Sequence, residues 1–409
     1  MSGYLPPWLS IVGIGEDGLA GLSSGARTLV ETAEVLVGGD RHLNFIPADH
    51  RERLSWRRPI SDSIQEILAR KPKRVCVLAS GNPMWYGIGT TLLQQIPRAE
   101  LTIIPAPSTF SLACAQLGWS MVEVETLSLC SRPLGLLNAV IYPGAKLLIL
   151  SENRNTPEAV ATQLRQLGYG SSPITVLEHL GGPQERRIEN NAADWSTTDL
   201  ADLNIIAVEC IAIPGTRPLS RFPGLPDDAY RHDGQLTKRE VRAITLSSLA
   251  PCPGELLWDV GAGCGSIAIE WMRNHPRCRA IAIEPKRGSY IAENAAALGV
   301  PNLQIVNGKA PEALADLPQP NAIFIGGGAT TPGLLETCWK ALPIGGRLVA
   351  NVVTLEGEQV LYRWQQTKGG TLTRIEIQRT GAIGSFTGWK PMAPVTQWVS
   401  FKAEANTKP

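Results

Sequence analysis

The alternation of apolar and amphipathic segments is most regular in the second half of the chain. Short apolar runs predict β-strands at 255–260, 278–284, 303–307, 321–325 and 346–354, and the segments between them predict helices at 266–273, 287–298 and 332–341. Strands and helices that alternate at this spacing are typical of a parallel, doubly wound α/β sheet. Two later apolar runs, 371–378 and 395–401, predict a terminal antiparallel pair.

The first half alternates in the same way but less regularly. Its apolar runs predict strands at 9–14, 35–37, 74–78, 101–104, 146–150, 174–177 and 204–208, with helices between them such as 61–70 and 109–117. Between the halves, residues 213–233 contain four prolines, two glycines and many charges, which is the composition of a linker. The pattern therefore predicts two domains, 1–212 and 234–409, joined by a linker at 213–233.

Length and composition agree with two folded domains. The 409 residues exceed the roughly 250–300 that a single core usually holds. A net charge of +1 gives no overall attraction to nucleic acid or to an anionic membrane. Residues 101–122 are uncharged and long enough to span a bilayer, but Pro105, Pro107 and several hydroxyl side chains favour a strand, a loop and a buried helix.

The cysteines and histidines suggest neither a disulfide framework nor a metal site. Eight cysteines include no C-x-x-C pair, and five histidines are scattered along the chain. We expect reduced, mostly buried thiols in a cytoplasmic protein that binds no metal.

A glycine-rich turn in the second half is the strongest chemical signal. Asp259 ends a predicted strand, and Gly261, Gly263 and Gly265 lead into a predicted helix. Glycines allow positive φ and close approach to a ligand, and the helix start offers free N–H groups. Such a turn could hold a dinucleotide or S-adenosylmethionine, or be a plain tight turn. The spacing G-x-G-x-G, rather than G-x-G-x-x-G, favours S-adenosylmethionine over NAD.

Candidate binding residues also follow each of the next predicted strands, which places them at the same edge of the sheet as this turn. Glu284 ends the second strand, where a carboxylate accepts hydrogen bonds from ribose hydroxyls. The run 307–310 follows the third strand, where the adenine edge is expected. The glycines at 326–328 close the fourth strand, where the substrate should meet the methyl group. The recurrence of such residues after successive strands argues against a plain tight turn at Gly261–Gly265.

The segment that begins the second domain allows two interpretations. Thr237 and Glu240 fit the S/T-x-x-E pattern of a helix capping box. Alternatively, the helix covers the cofactor and presents Lys238, Arg239 and Arg242 to an anionic substrate.

The motifs of the first half are weaker one by one. Gly13 and Gly15 belong to a G-x-G-x-x-G turn after a strand, which alone also fits a dinucleotide site or a tight turn. No acidic residue ends the following strand, because 35–37 is followed by Gly38-Gly39-Asp40-Arg41, and this weakens the NAD interpretation. Three further short motifs follow: ASGNPMWYG at 79–87, PSTFS at 107–111 and SLCSRP at 128–133.

The second half resembles the decarboxylating precorrin methyltransferase domain of cobalamin biosynthesis. The resemblance is carried by 236–265, GGGA at 326–329 and GSFTGWKPMAPVTQW at 384–398, and it covers 236–403. It implies a Rossmann-like class I methyltransferase fold, often tetrameric, that methylates C15 and removes the C12 acetate carboxyl. It also implies a set of S-adenosylmethionine-binding positions: Thr237, Gly261, Gly263, Gly265, Glu284 and Ala310. The candidate substrate-binding positions of this half are Lys238, Arg239, Arg242, Gly327 and Trp389.

The first half, over 9–212, resembles the tetrapyrrole methylase family, in particular the domain that methylates C5. The resemblance implies a bilobal α/β fold that binds S-adenosylmethionine, folded, in a cleft between lobes. The implied cofactor-binding positions are Gly81, Asn82, Pro83, Ser108 and Thr109, and the implied substrate-binding positions are Gly13, Gly15 and Arg132. Asn82 replaces the usual Asp, and Cys130-Ser131 replaces the usual His-Gly, so the resemblance carries over no catalytic role to those side chains.

The order of the two halves resembles fused enzymes that methylate precorrin-6Y at C5 and C15 with decarboxylation, giving precorrin-8X. The expected partner is a small-molecule tetrapyrrole, with a homo-oligomer and neither nucleic acid nor membrane. The alternatives are the cobalt-containing form of the same substrate, an RNA or protein methyltransferase that shares the glycine turn, or a tetrapyrrole carrier without activity. Neutral charge and the lack of a basic stripe count against RNA. The pattern assigns no catalytic side chain.

Overall fold

The computed structural model describes residues 7–404, which form two compact units. The first unit contains the chain up to Leu134 together with Tyr142–Thr216, and the second contains Gly135–Ile141 and the chain from Arg217 onward.

The first unit consists of two five-stranded sheets and the helices that pack on them. Its strands are β1 Leu9–Ile14, β2 Val35–Gly38, β3 Glu52–Ser55, β4 Val75–Ser80, β5 Leu101–Ile104, β6 Val124–Ser128, β7 Lys146–Leu150, β8 Pro173–Glu178, β9 Arg186–Asn191 and β10 Asn204–Glu209. Its helices are α1 Ser24–Thr32, α2 Asp40–Leu43, α3 Ile60–Leu68, α4 Ile88–Leu92, α5 Thr109–Leu117 and α6 Thr156–Gln166.

The two sheets of the first unit differ in strand direction. The first has the order β3-β2-β4-β1-β5 and is entirely parallel. The second has the order β6-β7-β10-β8-β9, in which only β6 and β7 run parallel. Every residue of β1 is buried, as expected for the inner strand of a parallel sheet that is covered on both faces.

The second unit contains one seven-stranded sheet and a separate hairpin. Its strands are β11 Leu256–Val260, β12 Arg279–Ile283, β13 Gln304–Val306, β14 Ala322–Ile325, β15 Arg347–Val352, β16 Thr371–Ile375, β17 Gln378–Ile383, β18 Phe386–Pro391 and β19 Val395–Phe401. Its helices are α7 Arg239–Leu249, α8 Ser266–Asn274, α9 Gly288–Ala297, α10 Leu334–Ala341 and α11 Leu355–Lys368.

The seven-stranded sheet has the order β13-β12-β11-β14-β15-β19-β16, with β11 to β15 parallel and β19 antiparallel to both its neighbours. This confirms the predicted parallel doubly wound sheet and the terminal antiparallel pair. Strand order reverses between β11 and β14. In open α/β sheets, ligands bind at the carboxyl ends of the strands at such a reversal.

Part of the stretch with linker composition belongs to the core of the second unit. Leu225 and Tyr230 are buried there, and the Glu270 carboxylate accepts hydrogen bonds from the backbone nitrogens of Gly224 and Leu225. The compact unit therefore starts near Arg217, before the predicted linker ends.

The uncharged stretch at 101–122 contains β5 and α5, as its composition predicted. Within the described part of the chain, no helix combines the length and the apolar character needed to cross a membrane.

Candidate active sites

The glycine turn of the second unit lies at the carboxyl end of β11, where the strand order reverses. Gly261, Gly263 and Gly265 have φ values of +71°, +59° and +83°, in the left-handed region that favours glycine. A Cβ atom at Gly261 would lie 2.9 Å from the backbone nitrogen of Gly327. The turn after β11 and the turn after β14 therefore touch through backbone atoms, and both predicted motifs meet at one edge of the sheet.

Glu284 fixes the other side of this turn. Its buried carboxylate accepts hydrogen bonds from the backbone nitrogens of Gly263 at 3.0 Å and Lys286 at 3.2 Å. Arg287 Nη1 also donates to Oε1 at 3.4 Å, beside Lys286, whereas Oε2 accepts from Gly263 alone among the described residues. Because each carboxylate oxygen has about two lone-pair sites, Oε2 can still accept a bond from a hydroxyl group. This geometry suits the ribose-binding role that the resemblance implies for Glu284.

Asp259 lies beneath the same turn and is completely buried. Its Oδ2 accepts a hydrogen bond from the backbone nitrogen of Ala268 at 3.0 Å, while Oδ1 has no partner among the described residues. Burial, together with the negative charge of Glu284, outweighs that hydrogen bond and raises the pKa of Asp259 to about 7. The turn is thus built over a carboxyl group that burial drives toward its neutral form.

The start of α7 corrects two predictions. The helix begins after Lys238 with no side chain capping it, and Glu240 pairs with Arg379 instead, so the predicted capping box is wrong. Arg242 is fully buried between Glu270 and Asp227, at 2.6 Å and 3.3 Å. Its guanidinium cannot face a substrate in this arrangement, and we assign it a structural role.

The remaining predicted residues of the second unit differ in exposure and in their distance from the glycine turn. Gly263 lies against the backbone carbonyl of Gln235, which brings the segment before Thr237 to the glycine turn. Arg239 is exposed, whereas Lys238 and Ala310 are half-buried, Ala310 in the turn after β13. Trp389 lies in the β17–β18 hairpin, outside the main sheet, with 67% of its surface exposed.

The first unit contains a cleft of about 430 Å³ at the carboxyl ends of β1 and β4. Its walls come from both sheets of that unit and are mostly apolar, with Trp85, Tyr86 and Phe110 forming an aromatic cluster at centroid distances of 5.7 and 6.1 Å. Flat aromatic faces suit a large conjugated ligand. Five predicted residues line the cleft: Gly15, Gly81, Asn82, Ser108 and Thr109.

Three other predicted residues lie outside the lining. Gly13 is buried inside β1, where a Cβ atom would lie 2.0 Å from the carbonyl oxygen of Gly81, so close packing explains this glycine and corrects its predicted place in the cleft. Pro83 is buried under its loop. Arg132 lies 4.9 Å from the centroid of the Tyr86 ring and reaches the cleft only through that ring.

A polar cluster in this cleft was missed by the sequence interpretation. Glu16 accepts hydrogen bonds from Arg41 and from His179 Nδ1, the latter at 2.9 Å. Arg41 Nη2 also reaches Ser80 Oγ at 3.1 Å and His42 Nε2 at 2.8 Å. The run Gly38-Gly39-Asp40-Arg41, which begins with the last residue of β2, was the available signal, because side chains after parallel strands gather at one edge.

Electrostatics within this cluster fix its protonation. Burial raises the pKa of Glu16, but hydrogen bonds and charges from His179 and Arg41 outweigh burial and leave the pKa below its usual value. Burial, and then the charge of Arg41, lowers the pKa of His42 to about 4. At neutral pH, Glu16 is therefore ionised and His42 is neutral.

Among the described residues, no group of three or more His, Cys, Asp or Glu side chains is placed to hold a metal ion.

Comparison with known proteins assigns each half to a family. Residues 9–195 match the Tetrapyrrole (Corrin/Porphyrin) Methylases, and residues 228–402 match the Precorrin methyltransferase domain. Both resemblances drawn from the motifs are thereby confirmed.

Relatives match along nearly the whole chain. The precorrin-6Y C(5,15)-methyltransferase (decarboxylating) of Sinorhizobium sp. is 48% identical over 395 residues, covering 96% of each chain. The protein of the same name from Mycobacterium tuberculosis (strain ATCC 25618 / H37Rv) is 42% identical over 395 residues, covering 95% of this chain and 98% of the relative. A crystal structure of the C-terminal domain of precorrin-6Y C5,15-methyltransferase from Rhodobacter capsulatus is 45% identical, covers 45% of this chain and 100% of that domain, and has a TM-score of 0.43. The chain therefore belongs to the precorrin-6Y C(5,15)-methyltransferases (decarboxylating), a family of methyltransferases.

Proposed function

We propose that this chain methylates precorrin-6Y at C5 and C15 with S-adenosylmethionine as donor and removes the C12 acetate carboxyl as CO2, giving precorrin-8X. The observation that most supports this proposal is that the chain contains two different candidate sites. One is a glycine turn where the strand order reverses, the other is an apolar cleft, and the units that contain them match two methyltransferase families. We assign C5 methylation to the first unit, and C15 methylation with decarboxylation to the second.

In the second unit, Gly261, Gly263 and Gly265 would hold the donor, with Glu284 accepting hydrogen bonds from its ribose hydroxyls. Thr237 and Ala310 belong to this proposed set, and Lys238, Arg239, Gly327 and Trp389 are the proposed substrate contacts. S-adenosylmethionine, when bound, supplies an electrophilic methyl group. The chain's own contribution is to align donor and acceptor and to exclude water, which can lower a barrier by roughly 7–11 kcal/mol.

In the first unit, Gly81, Asn82, Ser108 and Thr109 would hold the donor in the cleft. Ser108 Oγ already accepts a hydrogen bond from the backbone nitrogen of Ser111 at the start of α5. The aromatic cluster of Trp85, Tyr86 and Phe110, with Arg132 stacked on Tyr86, offers a surface for the macrocycle. The substrate-binding role proposed for Gly15 rests on its place in the lining.

The proposal also includes self-association and a cytoplasmic location. The β17–β18 hairpin exposes Ile383, Phe386 and Trp389, at 56%, 79% and 67%, and apolar residues that lie this openly favour contact with a second copy. Light scattering coupled to gel filtration gives the molar mass, and a monomer would contradict self-association. All eight cysteines are free thiols, which is compatible with a reducing compartment.

The product formed by the full-length protein tests the proposed function. Incubated with S-adenosylmethionine and precorrin-6Y, the protein should give a product that has gained two methyl groups and lost one CO2 by mass spectrometry. Parallel reactions with the cobalt-containing substrate show which form is used. An unchanged substrate mass in both reactions would rule the proposal out.

A further inference from the structure

The cleft of the first unit is nearly without positive charge. Among the described residues that line it, Arg41 is the one Lys or Arg. Glu16 and Asp202 also line the cleft and are acidic. Two arginines lie next to lining residues without lining the cleft themselves: Arg132 stacks on Tyr86, and Arg154 bonds Asp202. Within the lining itself, a tetrapyrrole with several carboxylate side chains would meet a single permanent cation.

The guanidinium of Arg41 is held in place from three directions. It donates to Glu16, to Ser80 Oγ at 3.1 Å and to His42 Nε2 at 2.8 Å, and 37% of its side-chain surface remains exposed. A guanidinium has five N–H donors, so Nε–H and one Nη1–H lack a partner within the described residues. These free donors lie on a side chain whose orientation is already fixed, which reduces the entropy lost on binding.

His42 can orient Arg41 only while its ring is neutral. Arginine cannot accept a hydrogen bond, so His42 Nε2 must be the acceptor and Nδ1 must carry the proton. The ring is buried, and Nδ1 has no partner among the described residues. His42 therefore keeps an unpaired buried donor and still presents an acceptor to Arg41, as expected of a positioning residue.

Glu16 does not use up the binding capacity of Arg41. Glu16 is held separately by His179 through its other oxygen. Elsewhere in this chain, one guanidinium bonds two carboxylates: Arg242 bonds Glu270 and Asp227, and Arg186 bonds Glu178 and Asp199. A second carboxylate can join Arg41 without displacing the first.

We propose that Arg41 binds a carboxylate side chain of the tetrapyrrole in the first unit, with His42 and Ser80 as positioning residues. This inference rests on the proposed function and names the subsite that would orient the macrocycle for C5 methylation. The donor S-adenosylmethionine also has a carboxylate, so the experiment must separate the two sources.

The test measures C5 methylation by full-length Arg41→Met, which keeps the apolar stem and removes the donors. The KM for the tetrapyrrole should rise about 10- to 100-fold, as expected for loss of a charge-assisted hydrogen bond, while kcat changes much less. The KM of Arg41→Lys should lie between those of wild type and Arg41→Met, because lysine keeps the charge but lacks the planar guanidinium. S-adenosylhomocysteine should still bind both units by calorimetry, and the second unit's methylation and decarboxylation should continue at the wild-type rate.

Matched variants separate binding from folding. Arg187→Met removes an exposed arginine on β9 and should leave the KM unchanged. His42→Leu should raise the KM, and His42→Gln, which restores an acceptor, should recover most of the loss. Thermal unfolding of each variant reports the fold.

Each contrary result has a distinct meaning. If wild-type protein yields no methylated product, the proposed function fails and the inference fails with it. If wild type forms the doubly methylated product and Arg41→Met keeps its tetrapyrrole KM, only the inference is overturned. If Arg41→Met instead loses one S-adenosylhomocysteine binding event, Arg41 binds the donor carboxylate, and the inference is again wrong.

Discussion

The two units each contain an arginine–glutamate pair, and the two pairs have opposite surroundings. Arg41 and Glu16 border the cleft of the first unit, with 37% and 13% of their side-chain surfaces exposed. Arg242 and Glu270 lie in the core of the second unit, with 0% and 2% exposed. The first pair can accept a ligand because donors remain free, whereas the second is enclosed by protein partners. The same residue types thus serve binding in one unit and structure in the other.

The acidic residues near the first strand of each main sheet differ in the same way. Glu16 follows β1 and is held by two cationic or polar partners, so its pKa is lowered. Asp259 lies in β11, where burial and the charge of Glu284 raise its pKa to about 7. The first unit stabilises a charge at its cleft, and the second suppresses one beneath its turn. Charged partners outweigh burial at Glu16, whereas burial outweighs the one hydrogen bond of Asp259, so the surroundings decide which role a carboxyl group has.

Of the changes predicted in this Discussion, replacing the arginine of the buried pair should lower stability most. Replacing the arginine of the exposed pair should lower it far less. Arg242→Met leaves Glu270 as a buried charge without its cation and should destabilise the second unit by up to about 5 kcal/mol. Arg41→Met should cost less than about 1 kcal/mol, because that pair is partly hydrated. Native-state hydrogen exchange of amides in β11 to β15 and in β1 to β5 measures each unit separately.

Arg239→Met is the matched control, because Arg239 lies three residues earlier in α7 but is exposed. It should change stability by less than about 0.5 kcal/mol. Equal exchange rates in the Arg242→Met and Arg239→Met proteins would remove the proposed contrast between the two pairs.

The pH dependence of the free energy of unfolding should show that native Asp259 stays protonated, and therefore neutral, below about pH 7. An unfolded aspartate loses its proton near its usual pKa of 3.8, whereas native Asp259 keeps it up to about pH 7. Between these values the native state binds the extra proton, so this group makes stability fall as pH rises. Asp259→Asn should remove that fall, and its stability relative to wild type should increase by about 3 kcal/mol from pH 4 to pH 7.

The measurement is chemical denaturation of the second unit at a series of pH values, with Asp228→Asn as the control at an acidic residue on a 3-10 turn outside the core. A difference between wild type and Asp259→Asn that stays constant across this range would show that Asp259 titrates normally in the native state.

The sequence predicted buried strands well and polar strands poorly. The strands that it missed in the first unit, β3, β6 and β9, all lie at sheet edges. The β9 sequence RRIENN has no apolar run because one side of an edge strand faces solvent. Inner strands such as β1 are continuous apolar runs and were placed with the correct bounds. The β17–β18 hairpin was missed for the same reason as the edge strands.

The sites show the same limit. Gly261 and Glu284 were predicted to lie at one site because each follows one of two neighbouring parallel strands, and Gly263 N–H does donate to Glu284. Arg242 was taken as a substrate contact and Arg41 was overlooked, because their environments depend on Glu270 and Ser80, which are distant in sequence. Spacing predicts a turn, but it does not tell a buried cation from an exposed one.

Adding one methyl group to the glycine turn should separate the chemistry of the two units. Gly261→Ala places a Cβ 2.9 Å from the Gly327 backbone and strains a left-handed φ. Displacing this turn by about 1 Å should slow C15 methylation and decarboxylation roughly 100-fold, while C5 methylation continues. Product mass then shows a single methyl group gained with no CO2 lost.

Gly345→Ala is the matched control, because Gly345 has φ +81° with nothing within 4 Å of its added Cβ. It should cost some stability through backbone strain and leave both reactions intact. Parallel loss of C5 methylation in Gly261→Ala would mean that the two units do not act as separate sites.

The smallest effect is expected at the β17–β18 hairpin, which forms a two-stranded sheet of its own. Arg379 on β17 bonds Glu240 on α7 and Asp227, and these contacts are half-exposed. Because half-exposed ion pairs contribute little, Arg379→Met should destabilise the hairpin by about 0.5–1 kcal/mol. Hydrogen exchange in β17 and β18 should then quicken by no more than about fivefold, with β11 to β15 unchanged. Arg374→Met on β16, paired with Glu358, is the control for losing an exposed arginine. Faster exchange throughout β11 to β15 in Arg379→Met would show instead that the hairpin contact supports the core of the second unit.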